Sequence, residues 1–181
     1  MSEVVFDEKL PVNWFYTNLG DLRINQSRTI IPNKSKNKIF ELYSIPSYVD
    51  NKPEIITGSK IKSNKQIIDT ETVLLSKINP HINRVWITSA NPSHEQIAST
   101  EWISFFKQNG IYQKYLLYFL KNEHFRQFLL LNTTGVGGSL TRINPIILNQ
   151  YKIPIPPFAE QKRIVTRIEK SFHEIDSSKF L

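Results

Sequence analysis

Three groups of residues are of types that enzymes use, and the first is the tetrapeptide IPPF at residues 155–158. Amino-methyltransferases of DNA carry two prolines between an Asn, Asp or Ser, which hydrogen-bonds the target amine, and an aromatic ring, which stacks on the flipped base. In this chain the first of the four motif positions is Ile155, whose side chain accepts no hydrogen bond. No glycine-rich loop for S-adenosylmethionine precedes the motif. We therefore interpret the two prolines as the start of a helix.

The second group is the glycine-rich stretch GVGGS at residues 135–139. It lacks the Gly-Lys-Ser/Thr ending of a phosphate-binding loop, and no predicted strand precedes it, so a nucleotide site is not expected. Two interpretations remain open. The glycines end a helix by adopting positive φ, or their N–H groups approach a DNA phosphate with Thr141 and Arg142 alongside.

The third group consists of acidic pairs, Asp69 with Glu71 and Asp50 with Glu54, which suggest a nuclease. Neither pair has a lysine at the offset that nuclease chemistry requires. The four histidines show no metal-ligand spacing, and the absence of cysteine excludes thiolate ligands. We therefore predict that the chain catalyses no reaction and binds no metal or cofactor.

The composition indicates a globular, basic protein. Hydrophobic residues make up 40% of the 181 residues and aromatic residues 12%, as in chains that fold around a core. No apolar run is long enough to span a membrane, and the N-terminus does not have the pattern of a signal peptide, so we expect a cytoplasmic protein. The net charge of +7 favours a polyanionic partner such as nucleic acid; the alternative is a soluble protein that is merely basic.

The elements that must position any functional residues are short strands followed by helices. Alternating apolar residues predict the strands, and a change to helical spacing near residue 111 predicts helices that meet at Asn122, a good N-cap. We expect the aromatic residues of these helices to form core rather than a platform for stacking bases. The predicted strands are 39–45, 54–57, 66–68, 72–78, 85–88 and 97–106, and the predicted helices are 111–120 and 122–131.

The C-terminal stretch combines an extended run, a proline hinge and an amphipathic helix. Pro154, Pro156 and Pro157 exclude helix up to that point, and Pro157 suits the first helical position. Apolar residues spaced by 3, 4 and 3 then form a coiled-coil-like stripe that we expect to contact another helix, because an isolated helix of this length is marginal in water. These residues are Val165, Ile168, Phe172 and Ile175.

This stretch also carries a resemblance. The string IPIPPFAEQKRIVTRIE at residues 153–169 resembles the motif that closes each target-recognition domain in the specificity subunits of type I restriction-modification systems. DTETVLLSKINPHINRV at 69–85, TEWI at 100–103 and GVGGSLTRINP at 135–145 resemble other parts of the same family. The resemblance implies an α+β fold, with a sheet-rich target-recognition domain at residues 1–156 and a C-terminal amphipathic helix for coiled-coil pairing at 157–181.

The resemblance implies sequence-specific recognition of double-stranded DNA. The chain would direct a partner DNA methyltransferase (modification) subunit, together with a restriction subunit, to one half of a bipartite target. S-adenosylmethionine would belong to the methyltransferase. Subunits of this family carry two recognition domains, whereas this chain shows one and no internal repeat, so a second copy or a second specificity half would pair through the C-terminal helix. The alternative is an interaction or decoy fragment that docks on the methyltransferase without binding DNA.

Candidate DNA-binding residues lie on three predicted loops. Loops between strands project side chains, arginine commonly reads guanine, and asparagine commonly reads adenine. For any single lysine, plain surface solubility is the competing interpretation. The candidates are Lys60, Lys62 and Lys65 on the first loop, Lys77, Asn79 and Arg84 on the second, and Ser139, Thr141 and Arg142 on the third.

Overall fold

A computed structural model of the chain describes residues 9–23, 28–134 and 141–178, and it shows short strands followed by helices. The strands are β1 (Phe15–Asn18), β2 (Thr29–Ile30), β3 (Ile39–Tyr43), β4 (Glu54–Thr57), β5 (Lys65–Ile67), β6 (Val73–Ser76), β7 (Val85–Ile87), β8 (Glu95–Ser99), β9 (Trp102–Phe105), β10 (Thr133–Thr134), β11 (Arg142–Ile143) and β12 (Lys152–Ile155). The helices are α1 (Gln113–Lys121), α2 (Glu123–Leu131), α3 (Pro145–Gln150) and α4 (Phe158–Ser178). The predicted α+β class is confirmed. None of these helices is both long and apolar enough to cross a lipid bilayer.

Two sheets form the body of the domain. The larger has the order β2-β5-β8-β3-β4, in which only β3 and β8 run parallel. The smaller has the order β7-β6-β9 and is antiparallel throughout. Because successive side chains of a strand point to opposite faces, β6 sends Leu75 to the main core under the helices and Leu74 to an aromatic cluster with Trp86 and Trp102.

The segment predicted as one strand at 97–106 forms two strands in different sheets. β8 lies in the larger sheet and β9 in the smaller one. The chain changes sheets in a tight turn at Thr100 and Glu101, where the Ser99 hydroxyl accepts a hydrogen bond of 3.2 Å from the Glu101 amide. Apolar residues stand on both sides of the turn, Ile97 and Ala98 before it and Trp102 and Ile103 after it, so the sequence pattern alone did not reveal the turn.

The predicted junction of two helices at Asn122 is confirmed. The Asn122 side chain accepts a 2.7 Å hydrogen bond from the Phe125 amide and so caps α2. Tyr115, Phe125 and Phe128 are all buried in the main core. The aromatic residues of α1 and α2 therefore serve packing, as predicted.

The two ends of the domain meet in a ribbon of β1 and β12, in which Phe15 lies opposite Ile155. Ile155 is buried, while Phe15 is exposed. Nε1 of Trp14 donates a 3.2 Å hydrogen bond to Oε2 of Glu160, 146 residues later. β1 is thereby fixed beside the first turn of α4.

The apolar stripe of α4 is partly covered by the chain itself. Val165 is 1% exposed and belongs to the main core. The prediction that it contacts a partner helix is therefore wrong, because the domain has already buried it. Ile168 is half-buried, whereas Phe172 and Ile175 are 54% and 52% exposed. Only the second half of the predicted stripe presents a large apolar surface.

α1 lies alongside α4. The rings of Tyr118 and Phe172 have centroids 6.1 Å apart, and Lys114 and Glu169 form an ion pair of 2.7 Å. The predicted boundary between residues 156 and 157 falls between β12 and α4. The first two turns of α4 nevertheless pack with the preceding domain.

Candidate nucleic-acid interface

The turn between β8 and β9 is where the candidate loops meet. The Glu101 carboxylate accepts two hydrogen bonds from Arg142: Nη1 lies 2.5 Å from Oε2, and Nη2 lies 3.0 Å from Oε1. This pairing fixes the plane of the guanidinium as well as its position. The carbonyl oxygen of Thr100 accepts a 2.7 Å hydrogen bond from Nζ of Lys77. Two of the predicted DNA-binding cations therefore converge on one turn.

The loop that follows β6 runs beside the segment that leads into β11. The Asn79 amide donates to the Thr141 carbonyl at 2.9 Å, and Ile78 forms an isolated antiparallel bridge with Arg142. Asn79 has φ near 47°, a left-handed conformation that asparagine tolerates better than most residues. The structure thus brings Lys77, Asn79, Thr141 and Arg142 together from two distant parts of the sequence.

A third cation, Arg23, lies close enough to Lys77 to affect its pKa, and its Nη1 donates to Oδ1 of Asn149 at 2.8 Å. Burial lowers the pKa of Lys77; Glu101 opposes this, while the positive charges of Arg23 and Arg142 lower the pKa further. Hydrogen bonds from Arg142 hold the pKa of the Glu101 carboxyl below its ordinary value. We refer to Arg23, Lys77, Glu101 and Arg142 as the Glu101 cluster. It holds three positive charges and one negative charge.

The first predicted loop reaches the same end of β8, since Lys65 lies opposite Ser99 in the sheet. Lys65 itself is buried, and its Nζ donates to Oγ of Ser63 at 2.5 Å and to the Ser63 carbonyl at 3.3 Å. Burial lowers its pKa. Lys65 therefore stabilises its own loop, and the exposed cations of this loop are Lys60 and Lys62.

Arg84 differs from the other candidates because it is half-buried. Its Nη1 atom is buried and has no hydrogen-bond partner among the described residues. The preceding residue, Asn83, donates from Nδ2 to the Leu120 carbonyl at 2.9 Å and is buried. This part of the second loop is thus held against α1 rather than projecting from the surface. Ser139 and the rest of the glycine-rich stretch lie outside the described residues.

Three residues that the sequence analysis did not select contribute to this surface. Glu101 and Arg23 belong to the Glu101 cluster, and Gln66 fixes the turn, since its Nε2 donates to the carbonyls of Ser99 at 2.7 Å and Trp102 at 2.9 Å. Glu101 could have been found, because it lies in the TEWI string. Nothing in the sequence marks Arg23 or Gln66.

The residues that suggested catalysis are engaged in packing, ion pairs or hydrogen bonds within the fold. Ile155 is buried in β12. Glu71 forms an ion pair of 2.5 Å with Lys107, and Glu54 accepts a hydrogen bond from the Ser44 hydroxyl. Within the described ranges, no group of three or more His, Asp or Glu side chains is arranged to hold a metal ion.

Comparison with known proteins supplies the family. Residues 11–179 match the family described as "Type I restriction modification DNA specificity domain". Among curated proteins, the specificity subunit of the type I restriction enzyme EcoKI from Escherichia coli (strain K12) is 29% identical over 69 residues. That match covers 38% of this chain and 14% of the EcoKI subunit.

Two solved structures share the fold. The HsdS subunit from Thermoanaerobacter tengcongensis superposes with a TM-score of 0.79 at 21% identity. A structure described as "Structural basis underlying complex assembly and conformational transition of the type I R-M system" gives 0.78 at 20% identity. The matches cover 96% and 95% of this chain, but only 45% of each of the other two chains. The chain therefore spans less than half the length of these structural relatives.

Proposed function

Because this chain belongs to the family of type I restriction-modification DNA specificity domains, we propose that it recognises one half of a bipartite target in double-stranded DNA. In doing so it directs a partner DNA methyltransferase and restriction complex to that target. The observation that carries this proposal is the convergence of Lys77 and Arg142 on the turn at Thr100 and Glu101. The positive charge of Arg23 lies close enough to Lys77 to lower the pKa of that lysine.

The chemistry of this surface suits DNA. Lysine and arginine side chains neutralise phosphates and release counterions, and an arginine fork also fits the acceptor edge of guanine. Asn79 and Thr141 lie beside these cations and supply the amide and hydroxyl groups that contact bases or phosphates. The net charge of +7 acts in the same direction.

The proposed pairing rests on the exposed apolar residues of α4. We propose that the exposed half of the α4 stripe, at Phe172 and Ile175, pairs with a second copy or with a second specificity half, and that the methyltransferase docks beside it. The chain itself contributes no catalytic group, and S-adenosylmethionine belongs to the methyltransferase. The site of action is the cytoplasm, where cellular DNA is accessible to the complex.

The test is a selection from a random duplex library with the full chain, alone and with the methyltransferase subunit encoded beside it. We expect enrichment of one short motif, and affinity for that motif that falls steeply between 50 and 200 mM salt, by about a hundredfold or more. Enrichment only with the methyltransferase present means that the chain reads DNA within the assembled complex. Enrichment in neither case contradicts DNA recognition and favours the alternative that the chain only docks on the methyltransferase.

A further inference from the structure

Two turns of the larger sheet carry a group of lysines that is separate from the Glu101 cluster. One turn, IPNKSKNK at residues 31–38, joins β2 to β3, and the other, GSKIKSN at residues 58–64, joins β4 to β5. Together these segments contain five lysines and no acidic residue. We refer to the two segments as the lysine double turn.

The two turns are joined through their backbones. The Gly58 amide donates a hydrogen bond of 2.8 Å to the Lys38 carbonyl, and the Ser59 amide donates one of 3.1 Å to the Lys36 carbonyl. Gly58 itself is buried. Since Lys60 follows Ser59 directly, the fold holds the backbone that carries Lys36 beside the backbone that carries Lys60.

Lys60 and Lys62 point away from the core. Ile61, which lies between them, is 4% exposed and packs in a cluster with Phe40 and Ile97. Its backbone is extended, with φ of -99° and ψ of 105°, and the neighbours of an extended residue project to the opposite side. The second turn therefore presents both of its ammonium groups to solvent.

Most lysines of the double turn have no acidic partner among the described residues. Lys38 is paired with Glu95, and ion pairs also join lysine or arginine to glutamate on α1, α2 and α4. Uncompensated positive charge on adjoining turns attracts a polyanion. The exposed lysines that form no ion pair with a described residue are Lys34, Lys36, Lys60 and Lys62.

The neighbours of these lysines suit a phosphate backbone. Asn33, Ser35 and Asn37 alternate with the lysines of the first turn, Ser59 and Ser63 flank those of the second, and all five are exposed. Hydroxyl and amide groups hydrogen-bond to phosphate oxygens, while lysine neutralises the phosphate charge. Contacts of both kinds are independent of the base sequence.

The meeting point of the two turns and the Glu101 cluster lie at different ends of the larger sheet. Lys38 immediately precedes β3, whose Phe40 pairs with Glu95 at the start of β8, whereas the turn at Glu101 follows the end of β8. β8 has five residues, so its length separates the two ends by about 13 Å at about 3.3 Å per residue. One sheet thus carries two separate groups of cations.

We propose that the lysine double turn is a second DNA contact, which binds the phosphate backbone and positions the domain on the duplex without reading bases. The inference rests on the proposed function. It assigns sequence-independent affinity to the double turn and leaves base contacts to other residues. Two explanations compete with it: the lysines only keep the surface soluble, or they bind an acidic surface of the methyltransferase.

The experiment compares wild-type protein with a double-turn variant, Lys36→Gln/Lys60→Gln, which removes two charges but keeps polar side chains. Lys107→Gln/Lys162→Gln is the control variant, because it changes the net charge equally at an ion-paired lysine and at a lysine over the Phe158 ring. Affinities for the selected duplex and for a scrambled duplex of equal length are measured from about 50 to 200 mM salt. The full chain is used, or its complex with the methyltransferase if the selection succeeds only with that subunit.

We expect the salt dependence to weaken in the double-turn variant. The slope of log affinity against log salt concentration should fall in magnitude by about 2, since each lost phosphate contact contributes about 0.9. At about 50 mM salt both duplexes should bind at least about tenfold more weakly, with the ratio of their affinities unchanged. The slope of the control variant should change by less than about 0.5.

Equal slopes in the two variants overturn the inference and leave the proposed function intact. A loss confined to the selected duplex means that the double turn reads bases, which also overturns it. Loss of co-purification with the methyltransferase in the double-turn variant but not in the control variant assigns the lysines to a protein contact, with the same consequence. Wild-type protein that enriches no motif overturns the proposed function, and if it also binds neither duplex the inference fails with it.

Thermal melting of both variants guards against misfolding. If the double-turn variant melts well below the control variant, the single variants Lys36→Gln and Lys60→Gln decide. Each should lower the magnitude of the slope by about 1. Wild-type slopes in both single variants overturn the inference.

Discussion

Gln161 is completely buried and bonds to the amide of Tyr112, 49 residues away, at the start of α1. Its Oε1 accepts from the Tyr112 N–H at 2.8 Å, while its Nε2 donates to the carbonyls of Gly110 at 2.8 Å and Pro156 at 2.9 Å. An amide is the side chain that supplies donors and an acceptor together without carrying charge. This accounts for the glutamine in the EQ pair of the closing motif, since it ties the start of α4 to the start of α1.

Replacement of this amide should destabilise the domain. Gln161→Leu leaves the Tyr112 N–H and two carbonyls without their buried partner, and we expect a loss of about 3 kcal/mol in the free energy of unfolding. The check is urea unfolding beside Gln150→Leu, a change at an exposed position that should cost less than about 0.5 kcal/mol. Equal midpoints for the two variants would show that the buried amide contributes little.

The two halves of the α4 stripe should respond differently to substitution. Val165→Ala removes buried methyl groups and should cost about 2 kcal/mol of stability without preventing association of the folded protein. Phe172→Asp alters a position that is 54% exposed, and we expect it to abolish pairing through α4 while costing only about 1 kcal/mol for the ring contact with Tyr118. Sedimentation and thermal melting measure the two effects. Association that survives Phe172→Asp would remove this residue from the proposed interface.

Arg142 should contribute directly to DNA binding. We expect Arg142→Ala to weaken binding to the selected duplex by about 1–3 kcal/mol, the range for loss of a two-bond base contact. Arg126 provides the control, because it is ion-paired with Glu123 on α2 at 2.8 Å and lies outside the Glu101 cluster. Arg126→Ala should bind nearly as wild type in the same titration. Similar losses in both variants would indicate a general charge effect instead of a contact made by Arg142.

The pairing of Glu101 with Arg142 should appear in the pH dependence of stability. Hydrogen bonds from Arg142 hold the folded-state pKa of Glu101 below the ordinary value of 4.5. Its stabilising contribution is therefore fully present above that pH and is lost as the pH falls through the folded-state pKa. We expect the melting temperature of the wild type to exceed that of Glu101→Gln from pH 8 to about pH 5. This difference in melting temperature should disappear in stronger acid.

A second acid with a lowered pKa, Glu123, does not confound this comparison. Arg126 and Gln127 lower the pKa of Glu123 to about 2, and wild type and Glu101→Gln share that group, so it cancels from their difference. A melting difference between wild type and Glu101→Gln that is independent of pH would contradict the assignment to Glu101.

Gly58 begins a turn that packs against a second turn, and both turns carry surface lysines. A side chain at position 58 does not fit between them. A Cβ at this position would lie 2.4 Å from the carbonyl oxygens of both Pro32 and Ser35. Because these are backbone atoms, Gly58→Ala must displace the turn at residues 32–35, and we expect a loss of about 1–3 kcal/mol. Thermal melting beside Ser59→Ala, at the exposed neighbouring position, checks this. A melting temperature equal to that of the control would show that the turn yields freely.

Local signals in the sequence were sufficient to predict many of the helices and strands of the fold. The prolines of the closing motif limited the start of α4 to within a residue, because they act on their immediate neighbours. Asn122 was identified as a helix cap because capping also depends on residues that are close in the sequence. β3 and β4 followed from alternation over a few residues. The turn at Glu101 was missed because apolar residues continue on both sides of it, and only the pairing of β8 and β9 with different sheets separates them.

The candidate site was predicted less completely, since its geometry depends on contacts between distant residues. Arg142 and Lys77 were chosen as isolated cations, yet their arrangement depends on Glu101 and Thr100, which no local pattern connects to them. Lys65 looked like any other loop lysine, and only the fold shows its Nζ turned back onto Ser63. Val165 matched a coiled-coil position equally well whether α4 faced its own domain or a partner. That its own domain buries Val165 is a property of the tertiary structure.

The pairing of β1 with β12 has a consequence for biosynthesis. Trp14 and Glu160 are 146 residues apart, so at ordinary elongation rates about 7 to 30 seconds separate the synthesis of β1 from that of its partner. During that interval the segment that will form β1 lacks the strand with which it pairs, and an unpaired strand edge readily pairs with other chains. Folding on the ribosome therefore cannot be completed until the proline hinge has emerged. We expect polypeptides that are released before residue 152 to aggregate rather than persist as a smaller domain.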